Sequence, residues 1–160
     1  MRVTFKDVLN RAYTTLFTDY KLDNLVKMDE VAFYTFLGGF LVNSIDMFDG
    51  ALQDLTYHEE KAQDENGQEI TEYVFDADLS SKEVYILCLG VALGWYKKAL
   101  DDVTQFKLHL STKDFKAFSE QANISKRLER LGAMEEELSE AITSYQLNNI
   151  NKLPFFGGDD

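Results

Sequence analysis

Leu79-Ser80-Ser81-Lys82-Glu83-Val84-Tyr85-Ile86-Leu87-Cys88-Leu89-Gly90-Val91-Ala92-Leu93-Gly94-Trp95-Tyr96 is the stretch on which the fold turns. No charged residue occurs between Val84 and Tyr96. Its start is marked by Ser80 as N-cap, Glu83 closing a capping box, and Leu79 and Val84 placed as a hydrophobic staple. A helix apolar nearly all round belongs among other helices or in a membrane. The thirteen uncharged residues rise only about 20 Å, whereas a bilayer core needs roughly 30 Å. The stretch therefore predicts a buried central helix and no membrane partner.

Outward from this helix, composition favours more helices. The chain has 160 residues and a single proline, Pro154, so its first 153 residues carry no proline break. A hydrophobic content of 45%, with twelve Phe and eight Tyr, fits one globular domain rather than a disordered chain. On the N-terminal side, Val3, Thr4, Asp7 and Val8 repeat the staple and capping box. Phe5, Val8, Leu9, Ala12, Tyr13, Leu16 and Phe17 then follow helical spacing to an end near Phe17 or Thr18. A second helix is expected from the N-cap Asp29 to about Met47, burying Phe33, Phe36, Leu37, Phe40, Leu41, Ser44, Ile45 and Phe48. Its Gly38-Gly39 pair is expected to face Gly90 and Gly94 of the central helix in a close contact.

Residues 51–78 differ in kind. Asn66-Gly67 is a two-residue hairpin signal, and pairing about it sets Lys61 opposite Glu72. Residues 51–80 hold nine acidic groups and one basic group, two thirds of the chain's net charge of −12. Glu59, Glu60, Asp64, Glu65, Glu69 and Glu72 make the hairpin a candidate partner-facing surface. A two-stranded hairpin with so little apolar area is marginal alone and needs a surface to rest on.

After the central helix, which is expected to end near Leu100 or Asp102, a short helix is expected at Ser111-Thr112-Lys113-Asp114. A long helix is then expected from after Ser119 to about Tyr145, with Ile124, Leu128, Leu131, Leu138, Ile142 and Tyr145 along a narrow seam. A seam of that kind suits one-sided packing or an oligomer interface. The expected fold class is therefore all-α: a four-helix bundle with a long C-terminal helix and an acidic hairpin or loop, about 54–78, between helices 2 and 3. Residues 1–146 make one helical domain and 147–160 a flexible arm, whose Leu153, Pro154, Phe155 and Phe156 read as an apolar anchor or as aromatics folded back on the helices.

Chemistry is sparse. The two histidines, His58 and His109, have no Glu three residues before them, as a di-metal bundle would require. There is no His-Glu-x-x-His, Gly-x-Gly-x-x-Gly or phosphate loop. A calcium loop centred on Gly67 would put Ala62 and Tyr73 at positions that must be acidic. Cys88, the lone cysteine, reads as a small buried hydrophobe. No enzyme and no cofactor is expected, and the acidic balance argues against a protein that grips the phosphate backbone.

Leu110-Ser111-Thr112-Lys113-Asp114-Phe115-Lys116-Ala117-Phe118-Ser119-Glu120-Gln121-Ala122-Asn123, the charged helix ending Thr143-Ser144-Tyr145, and Trp95 of the central helix carry a further reading. Together they resemble small structural proteins of tailed bacteriophages, the head–tail connector or adaptor proteins of the neck. The resemblance covers roughly residues 80–146. It implies a non-enzymatic virion protein, made in the host cytoplasm, that forms a homo-oligomeric ring, commonly a dodecamer, beneath the portal protein. Such a ring extends the DNA channel and offers a platform to the next neck or tail protein. Double-stranded DNA would pass through without specific binding, which suits negative walls. The C-terminal segment of such proteins often clasps the portal, a role that would fall to Leu153, Pro154, Phe155 and Phe156. The rival expectation, drawn from charge alone, is a small acidic binding protein: a DNA mimic or an inhibitor of a host enzyme.

Overall fold

The structure, a computed structural model, describes residues 2–17, 29–107, 113–114, 116 and 124–152. Their order is α1 (Phe5–Thr15), α2 (Glu30–Met47), β1 (Tyr57–Gln63), β2 (Glu69–Phe75), α3 (Ser81–Lys107) and α4 (Ile124–Asn148), followed by a 3-10 turn at Ile150–Lys152. The short helix expected at Ser111 and the apolar segment 153–156 lie outside the described residues.

α3 is the central helix. Leu87, Cys88, Val91 and Ala92 are sealed from solvent, and Trp95 and Tyr96 nearly so. Its start follows the capping box: the Glu83 N–H donates to Ser80 Oγ at 3.3 Å and the Ser80 N–H to Glu83 Oε2 at 2.6 Å. It runs to Lys107, beyond the expected end. α1 lies parallel to it, because Cys88 Sγ donates to the Val8 carbonyl near one end and Phe17 stacks on Trp95 at 4.5 Å near the other. α2 runs antiparallel, with Ser44 against Leu87 and Phe40 against Gly94. α4 is also antiparallel, with Tyr145 at Glu83 and Glu135 at Lys97. Met134, Leu138 and Tyr145 carry its buried seam, while Leu128 stays 55% exposed, so its first turns are not covered by the described residues.

The expectation of an all-α bundle is corrected to α+β. β1 and β2 form an antiparallel sheet, and β2 belongs to the core rather than to an insertion: Phe75 is fully buried and Val74 nearly so. The reason is a third backbone segment. Thr4 bridges Val74, and the Phe75 N–H donates to the Val3 carbonyl at 3.0 Å, so the residues leading into α1 extend the sheet. Phe5 then packs on Tyr57, Tyr73 and Phe75, with ring centroids 4.6, 5.4 and 5.2 Å away. The strands do fall within the expected 54–78, between α2 and α3.

The hairpin register also differs by one residue. Lys61 lies opposite Thr71 and Glu60 opposite Glu72, because the loop has three residues rather than two. The Gly67 N–H donates to the Asp64 carbonyl at 2.9 Å, and Gly67 adopts φ +78°. Asp64 Oδ1 meanwhile accepts from the N–H groups of Asn66 at 2.9 Å and Gln68 at 2.8 Å. This is a type I turn closed by a left-handed glycine, and the Asp64 side chain is what favours it.

The Gly38-Gly39 contact is corrected as well. A side chain at either position would meet nothing within 4 Å, whereas Gly90 lies against Ser44 and Gly94 against Phe40. Of the expected arm 147–160, Leu147 and Asn148 belong to α4 and Ile150–Lys152 form the turn, and residues 153–160 lie outside the described residues.

Candidate docking surface

Three features merit a functional reading. The first is the acidic hairpin. Its carboxylates are brought onto one small sheet, but most are engaged there. Glu59 accepts from the Tyr73 hydroxyl at 3.0 Å. Glu60 accepts from Arg2 at 3.1 Å and from His58 Nε2 at 2.8 Å. Asp64 holds its own turn, Glu69 pairs with Lys61, and Glu65 stands exposed at the tip. Glu72 is half-buried. The six are therefore near one another without forming a continuous free acidic face.

His58 was not expected to matter and is the most elaborately held side chain of the hairpin. Its Nδ1 lies 2.5 Å from Asp76 Oδ1 and its Nε2 2.8 Å from Glu60 Oε1. Both nitrogens donate only when the ring is charged. The hydrogen bond with Glu60, then that with Asp76, raises its pKa above the ordinary histidine value. The clamp contributes fully below that ordinary value and is lost as pH rises through the raised folded value. An NMR titration of the ring protons should place the midpoint above that of free histidine, and Glu60→Gln or Asp76→Asn should lower it. A midpoint unmoved by either substitution contradicts the clamp.

The second feature is a buried polar knot. Glu83, 1% exposed, takes the Tyr145 hydroxyl at 2.6 Å on Oε1, and that hydroxyl accepts from the Leu52 N–H at 3.0 Å. It ties α3, α4 and the loop after α2 together. Burial would raise the Glu83 pKa, but hydrogen bonds from Tyr145, Ser80 and Gln53 outweigh it and hold the carboxyl below its ordinary value. All its partners are internal, so its role is architectural.

The third is a groove of about 480 Å³ between α1, α2 and the sheet. Phe5, Tyr34, Tyr57 and Tyr73 supply aromatic walls, Gly38 leaves one side open, and Glu72 sits at the rim. Val31 at its edge is 76% exposed. Lys6 crosses it to Glu30 at 2.7 Å, over the face of Tyr34. An aromatic, partly open cleft of this size suits an apolar segment of another chain.

Comparison with protein-family models, curated proteins and solved structures finds no match.

Among the described residues no group of three or more His, Cys, Asp or Glu is placed to hold a metal ion, and no helix is long and apolar enough to cross a membrane. Cys88 is buried, and desolvation pushes its thiol up to about 11, so little thiolate forms near neutrality. The groove was missed from sequence because its walls come from four elements. Tyr57 and Tyr73 become one surface only through the hairpin register, and Phe5 joins them only through the Thr4–Val74 bridge. The two consecutive glycines were its one local trace.

Proposed function

We propose that this chain is a structural assembly protein, a ring adaptor of the phage neck that lies between portal and tail components and extends the DNA channel. The observation that carries the reading is uncovered apolar surface around a fully enclosed core. The aromatic groove, Leu128 at 55% exposure, Leu147 at 64% and Ile150 at 40% have no cover among the described residues. Surface of that kind marks contact with other chains. The resemblance of residues 80–146 to neck adaptors supplies the kind of assembly.

The charge is compatible with that role. A net charge of −12 on each copy would line a channel with negative potential, and DNA would slide rather than bind. The engagement of Glu60, Asp64 and Glu69 within the hairpin weighs against a DNA mimic, which needs free carboxylates at phosphate-like spacing.

Native mass measurement and negative-stain imaging of the purified chain test the proposal. The expected result is a closed ring, formed alone or on co-purification with a portal protein. A strict monomer that binds a basic nuclease would replace this reading with that of an acidic inhibitor.

A further inference from the structure

We propose that the groove between α1, α2 and β2 is the receptor for the segment Lys152-Leu153-Pro154-Phe155-Phe156 of a second copy of this chain. The inference deepens the ring reading and rests on it, since it names the contact that joins one subunit to the next.

Four observations lead to this occupant. The first is the open edge of β2. The Phe75 N–H points outward to Val3, and outward-pointing backbone groups recur at every second residue, hence at Tyr73 and Thr71. The pairing with residues 3–4 stops there because the chain turns into α1 at Phe5. Thr71 and Tyr73 both line the groove, so it offers a strand edge beside aromatic walls. That combination receives an extended peptide, with the edge holding backbone and the walls holding alternate side chains. The segment fits such a site. Leu153 precedes a proline and is thereby biased to extended backbone, and a proline is tolerated in a strand that pairs on one side only.

The second is length. The groove follows α2 from Glu30 to Val42, about 18 Å at 1.5 Å per residue. Lys152 ends the 3-10 turn, and the four residues after it, when extended, cover about 14 Å, most of that length. The third is charge. Lys6 is paired with Glu30 and feels the charge of Glu72 as well, so the groove carries two carboxylates against one cation, and the segment opens with a lysine, Lys152. Within this acidic chain that lysine stands directly before Leu-Pro-Phe-Phe.

The fourth separates a second copy from the chain's own tail. Leu147 and Ile150, at the root of the segment, are themselves exposed. A contact between copies makes a neighbour's surface, with its own exposed Val31, Tyr57 and Tyr73, available to cover both patches. Segment and groove are different surfaces, so the contact is head-to-tail, the type that closes into a ring.

The test uses the full chain throughout. Gly38→Phe puts a ring at the groove from a position where an added Cβ meets nothing within 4 Å. Phe155→Ser/Phe156→Ser removes the anchor. Each variant should keep the wild-type circular dichroism, and each should weaken self-association, read by sedimentation, about a hundredfold. Mixed one to one, the two variants should form a heterodimer, since the groove-filled chain keeps its anchor and the anchor-less chain keeps its groove. Rings that persist in both variants overturn this contact and leave the ring reading intact. A mixture that stays monomeric while the wild type assembles overturns it too. A wild-type chain that is monomeric at every concentration removes the ring reading and this inference with it. Loss of portal attachment by the anchor-less chain with self-association unchanged assigns the segment to the portal instead.

Discussion

Replacing Glu83 by alanine is expected to cost about 3 kcal/mol, the penalty for leaving buried donors without an acceptor. Its donors lose it together: Ser80 at the start of α3, the Gln53 N–H of the loop after α2, and the Tyr145 hydroxyl of α4. The carboxylate half of the capping box goes at the same time, while the N–H at position 83 keeps Ser80 Oγ, and Tyr145 is left with only the Leu52 N–H. Because Tyr145 also packs edge-on against Phe48 at 5.3 Å, the loosened ring should disturb the junction of α2, α3 and α4. Urea denaturation should report the loss as a lower midpoint with an unchanged slope. Tyr145→Phe keeps the packing and removes only the hydroxyl, so a smaller cost of about 1.5 kcal/mol is expected. The double variant should fall short of the sum, since both changes remove one shared hydrogen bond. Strict additivity would show that the knot does not exist in solution. The pH dependence has a definite sign. The Glu83 carboxyl titrates below its ordinary value, so its contribution is present above that value and disappears as pH falls through the lowered one. Glu83→Gln should therefore flatten the acid limb of the stability profile.

The parts of this fold that were legible in the sequence are the ones coded locally. Thr4 with Asp7 and Ser80 with Glu83 are capping boxes three residues wide, and both form as read. The stripe from Phe5 to Phe17 is a periodicity of one helix, and its members are buried or half-buried. What escaped is whatever depends on two distant segments meeting. Whether a hairpin is an appendage or a layer of the core is decided by residues 3–4 pairing with residues 74–75, some seventy positions away. Nothing in either stretch announces that pairing. The hairpin register slipped for a smaller reason: Asn66-Gly67 was weighed without Asp64, whose carboxylate takes two N–H groups and lengthens the loop by one residue. That single step decides which residues stand opposite, and so placed Glu72 across from Glu60 rather than Lys61.

The glycines show the same limit and give the other large effect. Small residues permit close approach, but their sequence spacing does not say which of them face each other. Gly90 faces Ser44, and a Cβ added there would lie 2.0 Å from Ser44 Oγ, 2.6 Å from its Cβ and 3.3 Å from its backbone Cα. Ser44 is not free to retreat, because its hydroxyl donates to the Leu87 carbonyl at 3.0 Å in a buried setting. Gly90→Ala must therefore push α2 from α3 or break that bond, at a net cost of about 2 kcal/mol after the gain in helix propensity. Gly38→Ala and Gly39→Ala meet no neighbour and should each stabilise the chain, by about 1 kcal/mol, through propensity alone. The decisive arm is the rescue. On a Ser44→Gly background, Gly90→Ala puts its methyl where the serine stood, and the same substitution should become neutral or stabilising. A change of sign between the two backgrounds is what direct contact requires, since residues that do not touch contribute independently. If Gly90→Ala is tolerated in the wild-type chain while Gly38→Ala is not, the helices face each other through the Gly38-Gly39 pair after all, and the groove beside Gly38 is not open to a ligand.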